Sequence, residues 1–322
     1  MTHTRLDSVL FVGFGGPTPG CCGRFEPCPG REALCFVKAI VGDRPGAQAR
    51  IAEVAAHYDY FGGFSPFNAL TFQQAQGVAG HLHAQGFHVP VRVGMRYWPP
   101  YVHEVLHDMA AEGLRHILVV ILSPLQCVAS WEHYQQTVAA GVETLGAQRP
   151  AVTYLAPWHM EAGYIAAVAD TIQDAEQVLG AERASHAALI YTAHAIPVAM
   201  AAHAPYTQQF AATAAAVAQR LGRQDYRLAY QSQVTGTPVP WLQPDINDTI
   251  QQVHAEGYRD VIVAPIGFLC DHMEVLYDLD VQARDTATAC GMTYVRAATV
   301  GNHPAFVTML STLIAQRLQE GQ

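Results

Sequence analysis

PYVHEVLHDMAAEGLRHILVVIL, residues 100–122, and PDINDTIQQVHAEGYRDVIVAPI, residues 244–266, follow one plan. Laid over each other without gaps, they share Pro, then Glu-Gly, then Arg at the same offsets, with apolar positions in register. Each reads as an amphipathic helix running into an apolar strand. The first helix, Tyr101 to Glu112, stops at Gly113, and the second, Ile246 to Glu256, stops at Gly257. Glycine there takes the left-handed conformation that ends a helix. A strand apolar on both sides, joined to a helix, belongs in a parallel sheet covered on both faces.

The likeness extends upstream. VLFVGFGGP, residues 9–17, and ALIYTAHAIP, residues 188–197, are apolar strands opening onto a proline. Val89 to Val93 and Arg227 to Tyr230 supply one more short strand each. This order predicts an α/β fold of two similar Rossmann-like, doubly wound parallel-sheet halves, residues 1–165 and 166–322. That topology predicts a ligand cleft between the halves, outside the carboxyl ends of the strands. The stretch from Pro17 to Pro100 exceeds that from Pro197 to Pro244 by about 36 residues. The excess, at about 18–66, holds four cysteines and FGGFSPF and is expected to form a lip over the cleft.

Half the residues are hydrophobic and 14% are charged, the composition of a folded globular chain. With 18 Lys and Arg against 27 Asp and Glu, the net charge is -9, so no basic face and no nucleic-acid partner is expected. Peripheral contact with a membrane stays open. No apolar run reaches transmembrane length, and the first residues lack the cationic start and cleavage site of a signal peptide. A cytoplasmic location is the expectation. Seven cysteines, an odd number, in a reducing compartment predict no disulfide framework.

Two places can carry chemistry. His194 stands at the carboxyl end of the strand ALIYT, where an imidazole can exchange a proton near neutral pH. A packed or capping histidine is the plainer alternative. PIGFLCDHMEVLYDLD, from Pro265, follows another strand end and brings Asp271, His272, Glu274, Asp278 and Asp280 into one stretch. With a helix starting near Asp271, Glu274 falls in its first turn and Asp278 on the same face, while Asp280 does not share that face. A line of carboxylates could carry protons or metal ions; an ordinary solvated acidic face is the alternative. There is no Ser-His-Asp arrangement, HExxH pair, P-loop lysine or GxGxxG spacing. The remaining chemistry is proton transfer coupled to handling a metal ion.

Cys22, Cys28 and Cys35 lie in a Gly- and Pro-rich stretch read as loop. They are candidate ligands of zinc or an iron–sulfur cluster, since thiolates suit both, although the spacing is not CxxC. Free thiols are the alternative.

The segments GFGGP, YFGGFSPF, GMRYWPP, YTAHAIP, YQSQV, PVPWLQP and PIGFLCDHMEVLYDLD, in this order, resemble the ferrochelatase family over nearly the whole chain. The resemblance implies two Rossmann-like halves, a porphyrin cleft between them, and insertion of ferrous iron, the substrate, into the porphyrin in haem biosynthesis. It implies that His194 is the catalytic histidine and Glu274 its partner, both beside the substrate iron. Asp271, Asp278 and Asp280 match the acidic path. Arg96, Tyr97, Tyr206, Trp241 and Phe268 match positions at or near the porphyrin. Phe14, the repeat partner of His194, is expected to press on the macrocycle, with Phe64 and Phe67 adding aromatic area. The resemblance is poor from Thr18 to Ala56, and the loop VTGTPVPW is longer than usual. The C-terminal cysteine extension that holds a [2Fe-2S] cluster in some members is not seen. Phe14 stands where coproporphyrin-using members typically present a Tyr, so protoporphyrin IX is the expected substrate and coproporphyrin III the alternative. A chelatase for another metal or tetrapyrrole, and a porphyrin or haem carrier without activity, are the other readings.

Overall fold

Extended segments of four to seven residues cannot satisfy their backbone alone, and here eight of them pair into two parallel sheets. The computed structural model describes residues 5–43, 46–234, 236 and 238–320. Thr235 and Thr237 of the VTGTPVPW loop lie outside the described residues. The strands are β1 (Ser8–Gly13), β2 (Val91–Met95), β3 (His116–Ile121), β4 (Ala151–Tyr154), β5 (Ala188–His194), β6 (Arg227–Gln231), β7 (Asp260–Ala264) and β8 (Thr293–Arg296). One sheet has the order β2-β1-β3-β4 and the other β6-β5-β7-β8, every pairing parallel. The fold class is therefore the α/β arrangement expected from the repeat, with the same strand order twice.

The agreement reaches single residues. The Met95 N–H donates to Pro100 O and the Tyr230 N–H to Pro244 O, each at 2.8 Å. Gly13 is the register partner of Met95, and Ala193 is that of Tyr230. Gly13 and Ala193 are thus equivalent positions, and so are their successors Phe14 and His194. The helices Val102–Ala111 and Ile246–Ala255 have the same length, ten residues each. Gly113 and Gly257 follow them with φ of 85° and 105°, the left-handed caps that their residue type predicts.

By contact density the chain forms two units. One comprises Met1–Leu122, Ala129–Ala156 and Leu310–Gln322; the other comprises Ser123–Val128 and Pro157–Met309. In the first, Leu10, Val12, Ile117 and Val119 of the sheet pack on Val102, Leu106, Met109 and Val138. In the second, Ile190, Ala229, Val261 and Val263 pack on Ile246, Ile250, Val253 and Leu279.

β4 and β8 were not foreseen. Each has four residues at a sheet edge and is only partly buried, so neither carries the continuous apolar run that marks the central strands. In the 18–66 segment the helices Glu32–Val41 and Ala47–Asp59 form, so Cys35 lies on a helix and not in a loop. Residues 18–31 have neither helix nor strand. They dock on their own unit: Trp98 Nε1–H donates to Thr18 Oγ1 at 2.8 Å, and the Tyr101 hydroxyl donates to Cys22 O at 2.8 Å.

Candidate active site

β5 ends on His194 itself, whose register partner is Gln231, the last residue of β6. The main chain around His194 is held on several sides. The Tyr206 hydroxyl donates to His194 O at 2.8 Å, and the Ala195 N–H donates to Gln231 O at 2.7 Å. After β7 the chain turns back, and the Gly267 N–H donates to Thr192 O at 3.1 Å. A Cβ on Gly267 would lie 2.7 Å from the Ala193 Cβ and 2.8 Å from its Cα. Only a glycine lets this turn close on the strand one residue before His194.

The imidazole orientation follows from its partners. Nδ1 is hydrogen-bonded to the Ala195 carbonyl. A carbonyl only accepts, so Nδ1 carries the hydrogen and Nε2 holds the lone pair of the neutral ring. Nε2 lies 3.4 Å from Glu274 Oε2. Glu274 sits in the first turn of the short helix Met273–Tyr277, preceded by an extended His272. Its carbonyl accepts from the Gln231 side-chain amide, and the Thr192 hydroxyl donates to Gln231 Oε1 at 2.8 Å. Thr192 and Gln231 are fully buried, so this satisfied polar chain fixes the ends of β5 and β6 against the Glu274 turn.

A π-helical turn, Asp278–Ala283, continues from that helix. Such widened turns recur at functional sites. The Ser232 hydroxyl donates to the Asp278 carboxylate. Ser232 has φ of 64°, a left-handed conformation that costs a non-glycine residue about 1–2 kcal/mol.

The electrostatics divide three groups. Burial alone would lower the pKa of His194, but the charge and hydrogen bond of Glu274 outweigh it and hold the imidazole up at about 9. Burial pushes the Asp278 carboxyl up to about 7; Ser232 opposes this and the charge of Glu274 adds to it. Burial lowers His272. A base, a half-exposed carboxylate and a carboxyl that titrates near neutrality therefore sit together, a set able to accept protons and pass them on.

The sequence profile described as Ferrochelatase matches residues 39–318 of this chain. The chain belongs to the ferrochelatase family. It is 34% identical to the ferrochelatase of Rhodopirellula baltica, covering 97% of this chain and 86% of the relative. It is 36% identical to the coproporphyrin III ferrochelatase of Propionibacterium freudenreichii, covering 98% and 88%, and 34% identical to that of Nocardia farcinica, covering 97% and 88%. Among solved structures, the SirB protein of Bacillus subtilis with Fe3+ matches with a TM-score of 0.59 over 98% of both chains. At 12% identity it shows a shared fold and nothing further.

The acidic stretch divides. Asp278 joins His194 and Glu274, whereas Asp271 and Asp280 turn to Arg296. The Arg296 guanidinium reaches Asp280 at 2.8 and 2.9 Å and Asp271 at 3.0 and 3.2 Å, and Thr299 donates to Asp271 at 3.0 Å. Sequence reasoning missed Arg296 altogether, and nothing in its local sequence marks it. It also missed Ser232 and Gln231 as individual residues, although both lie in the YQSQV segment. Of the positions matched to ferrochelatase porphyrin contacts, Tyr206 supports His194 as described. Phe268 packs edge-on against His272, with ring centroids 4.9 Å apart. Trp241 is bridged antiparallel to Pro197, and its buried indole N–H has no partner among the described residues. In the other unit, the Phe14 and Tyr97 rings lie 4.7 Å apart, and the Arg96 guanidinium stands 4.7 Å from the Tyr97 ring centre. Phe67 is buried against Gly13.

The cysteines correct the cluster expectation. Among the described residues no three His, Cys, Asp or Glu side chains are gathered about one point to hold a metal ion. Cys28 and Cys35 sulfurs lie 3.8 Å apart and Cys22 touches Cys35, but no four-cysteine cage of the kind a [2Fe-2S] cluster requires is formed. Burial, then the neighbouring thiols, push Cys35 up to about 12.

Proposed function

We propose that this chain inserts ferrous iron into coproporphyrin III, with His194 as the base that accepts the pyrrole protons. One observation carries the reading: Nε2 of His194, the ring nitrogen not bound to the Ala195 carbonyl, faces Glu274 at 3.4 Å. Metal insertion removes two protons from the porphyrin core and brings in a dication. At neutral pH an imidazole held up at about 9 carries a proton at Nε2; His194 first passes that proton to Glu274 and then takes a pyrrole proton in its place. Glu274, 50% exposed, returns each proton it receives to solvent or to Asp278. With His194 neutral and Glu274 ionised, the pair also presents nitrogen and oxygen donors to the incoming iron, which is the substrate. Phe268 and Trp241, near the same strand ends, supply flat area for the macrocycle. No described helix is long and apolar enough to cross a membrane.

Coproporphyrin III is preferred because it is named in relatives that align over nearly all of this chain. A specific observation favours a second reading, protoporphyrin IX: Phe14 has no atom that can ligate iron, and it packs edge-on against Phe36 and at a tilt against Tyr97. Purified protein mixed anaerobically with ferrous iron and either porphyrin, followed by absorbance, separates the two. Faster metallation of coproporphyrin III is expected. His194→Ala should lower turnover by about 10²-fold or more while porphyrin still binds. Undiminished turnover in that variant removes His194 from the chemistry, and porphyrin binding without metallation in the parent protein leaves a carrier.

A further inference from the structure

Cys28 and Cys35 belong to the first unit, and their pairing is independent of the function proposed above. Cys28 stands in the segment without helix or strand that precedes the helix Glu32–Val41. Cys35 stands in the first turn of that helix, its N–H donating to Arg31 O at 3.0 Å. The two sulfurs are in contact at 3.8 Å. Both are free thiols; Cys28 is exposed and Cys35 is buried. We propose that Cys28 and Cys35 are a reversible dithiol–disulfide pair, a modification site whose oxidant is a hydroperoxide.

The spacing argues for it. A disulfide bond is about 2.05 Å long, so the sulfurs need approach by less than about 2 Å. The helix fixes Cys35, and Cys28 supplies the movement, being exposed and outside regular structure. The segment is anchored elsewhere. The Tyr101 hydroxyl holds the Cys22 carbonyl, and the Arg24 guanidinium donates to Arg96 O at 3.2 Å. Neither anchor involves Cys28, so the pair can close without breaking them.

The two thiols are unlike, and the difference assigns their roles. Cys35 is 3% exposed; burial, then hydrogen bonds to Cys28 and Cys22, push its thiol up to about 12, so it keeps its proton and donates. Gly30, left-handed with φ of 88°, turns its N–H to within 3.4 Å of the Cys28 sulfur. Cys28 is therefore the open sulfur, met by two donors, and Cys35 is the shielded one. Cys22 also touches Cys35 but is buried in the same way. The chemistry has two steps. The Cys28 sulfur attacks one peroxide oxygen; an S–O bond forms, the O–O bond breaks, and the other oxygen leaves as an alcohol or water with the Cys28 proton. Cys28 is then a sulfenic acid. The Cys35 sulfur attacks the Cys28 sulfur; the S–S bond forms, the S–O bond breaks, and the hydroxyl leaves as water with the Cys35 proton. The peroxide gains two electrons, one from each thiol. A small dithiol reverses the bond by exchange, because Cys28 leaves one of its sulfurs open to attack.

The test uses the full chain, reduced, freed of reductant and treated with stoichiometric hydrogen peroxide. Trypsin cuts after Arg24, Arg31 and Lys38, so Cys28 and Cys35 fall on separate peptides, Phe25–Arg31 and Glu32–Lys38. Mass spectrometry of the alkylated digest should find these two peptides joined, lighter by two hydrogens than their sum, and parted again by dithiothreitol. Cys28→Ser, a surface change checked for folding by circular dichroism, should slow oxidation of Cys35 by at least about 10-fold. Cys35→Ser should leave a sulfenic acid on Cys28 that dimedone traps. Should Cys35→Ser fail to fold, the parent digest and Cys28→Ser still decide. The proposal is overturned if the two peptides stay separate after peroxide, or if Glu32–Lys38 is joined instead to the peptide holding Cys21 and Cys22. Oxidation of Cys35 at the parent rate in Cys28→Ser, or a linkage that dithiothreitol does not reverse, would overturn it as well.

Discussion

Nε2 of His194 stands 3.4 Å from Oε2 of Glu274, two side chains 80 positions apart that meet because one ends β5 and the other opens the turn after β7. The pair sets the proton affinity of the site, and its removal has a defined direction. In Glu274→Gln the carboxylate that raises His194 is gone, so the imidazole should fall well below about 9, with burial lowering it and the Ala195 carbonyl and Asp278 still holding it up. Titration of the ring by nuclear magnetic resonance reads this directly, and an unmoved pKa would show that Glu274 does not face the ring in solution. A raised folded pKa stabilises fully below the unfolded value and is lost as pH rises through about 9. Parent and variant should therefore differ most in Tm below about pH 6.5 and converge above about pH 9.

Asp278 gives a slope of its own. Its folded pKa of about 7 lies above the ordinary 3.8, so the folded chain keeps a proton that the unfolded chain has released. Its contribution to stability thus falls as pH rises between those values and levels off above about 7. Asp278→Asn should remove the slope, gaining stability relative to the parent more at pH 8 than at pH 5. Ser232→Ala, which deletes the hydrogen bond that favours the carboxylate, should push the titration of Asp278 still higher. Denaturant midpoints at the two pH values check the first, and infrared absorption of the carboxyl group checks the second.

Gly267→Ala places a methyl 2.7 Å from the Ala193 Cβ. The strand end must yield, and His194 is the next residue along. Turnover should drop by about 10²-fold, the scale of a misplacement near 1 Å, while the chain stays folded. Normal kinetics with normal porphyrin affinity would show that the strand end is slack.

Arg296 is 13% exposed and holds two carboxylates that are themselves mostly covered. Arg296→Met should destabilise the protein by about 3–5 kcal/mol, because Asp271 and Asp280 lose the buried cation they share and keep only the Thr299 hydroxyl and the exposed Arg284. Adding Asp271→Asn and Asp280→Asn should recover part of that loss in urea unfolding. No recovery would mean that Arg296 acts through packing alone.

The central strands, the two glycine-capped helices and the doubled strand order were legible because each rests on local pattern: continuous apolar runs, a 3.6-residue period, a glycine at the cap. So was the convergence of His194 and Glu274, since both stand at strand ends of one sheet. Asp271, Asp278 and Asp280 look alike in sequence, and what separates them is tertiary. The π-helical turn changes the angular spacing after Asp278, and Arg296 arrives from the end of β8, an edge strand with no clear signal. Cys35 was read as loop because Gly and Pro dominate the residues before it, whereas the helix starts at Glu32, just past them.

The equivalence of Phe14 and His194 also bears on how such a molecule can change. A plan used twice offers every strand-end position in duplicate, and here only one copy has at that position an imidazole able to exchange a proton. The other copy, holding a phenyl ring at the matching place, is under no constraint from acid–base chemistry. It is in that copy that the chain carries its additional length and its crowded thiols. The doubled plan thus holds two equivalent positions of opposite acid–base capacity, with the extra length on the side that has none.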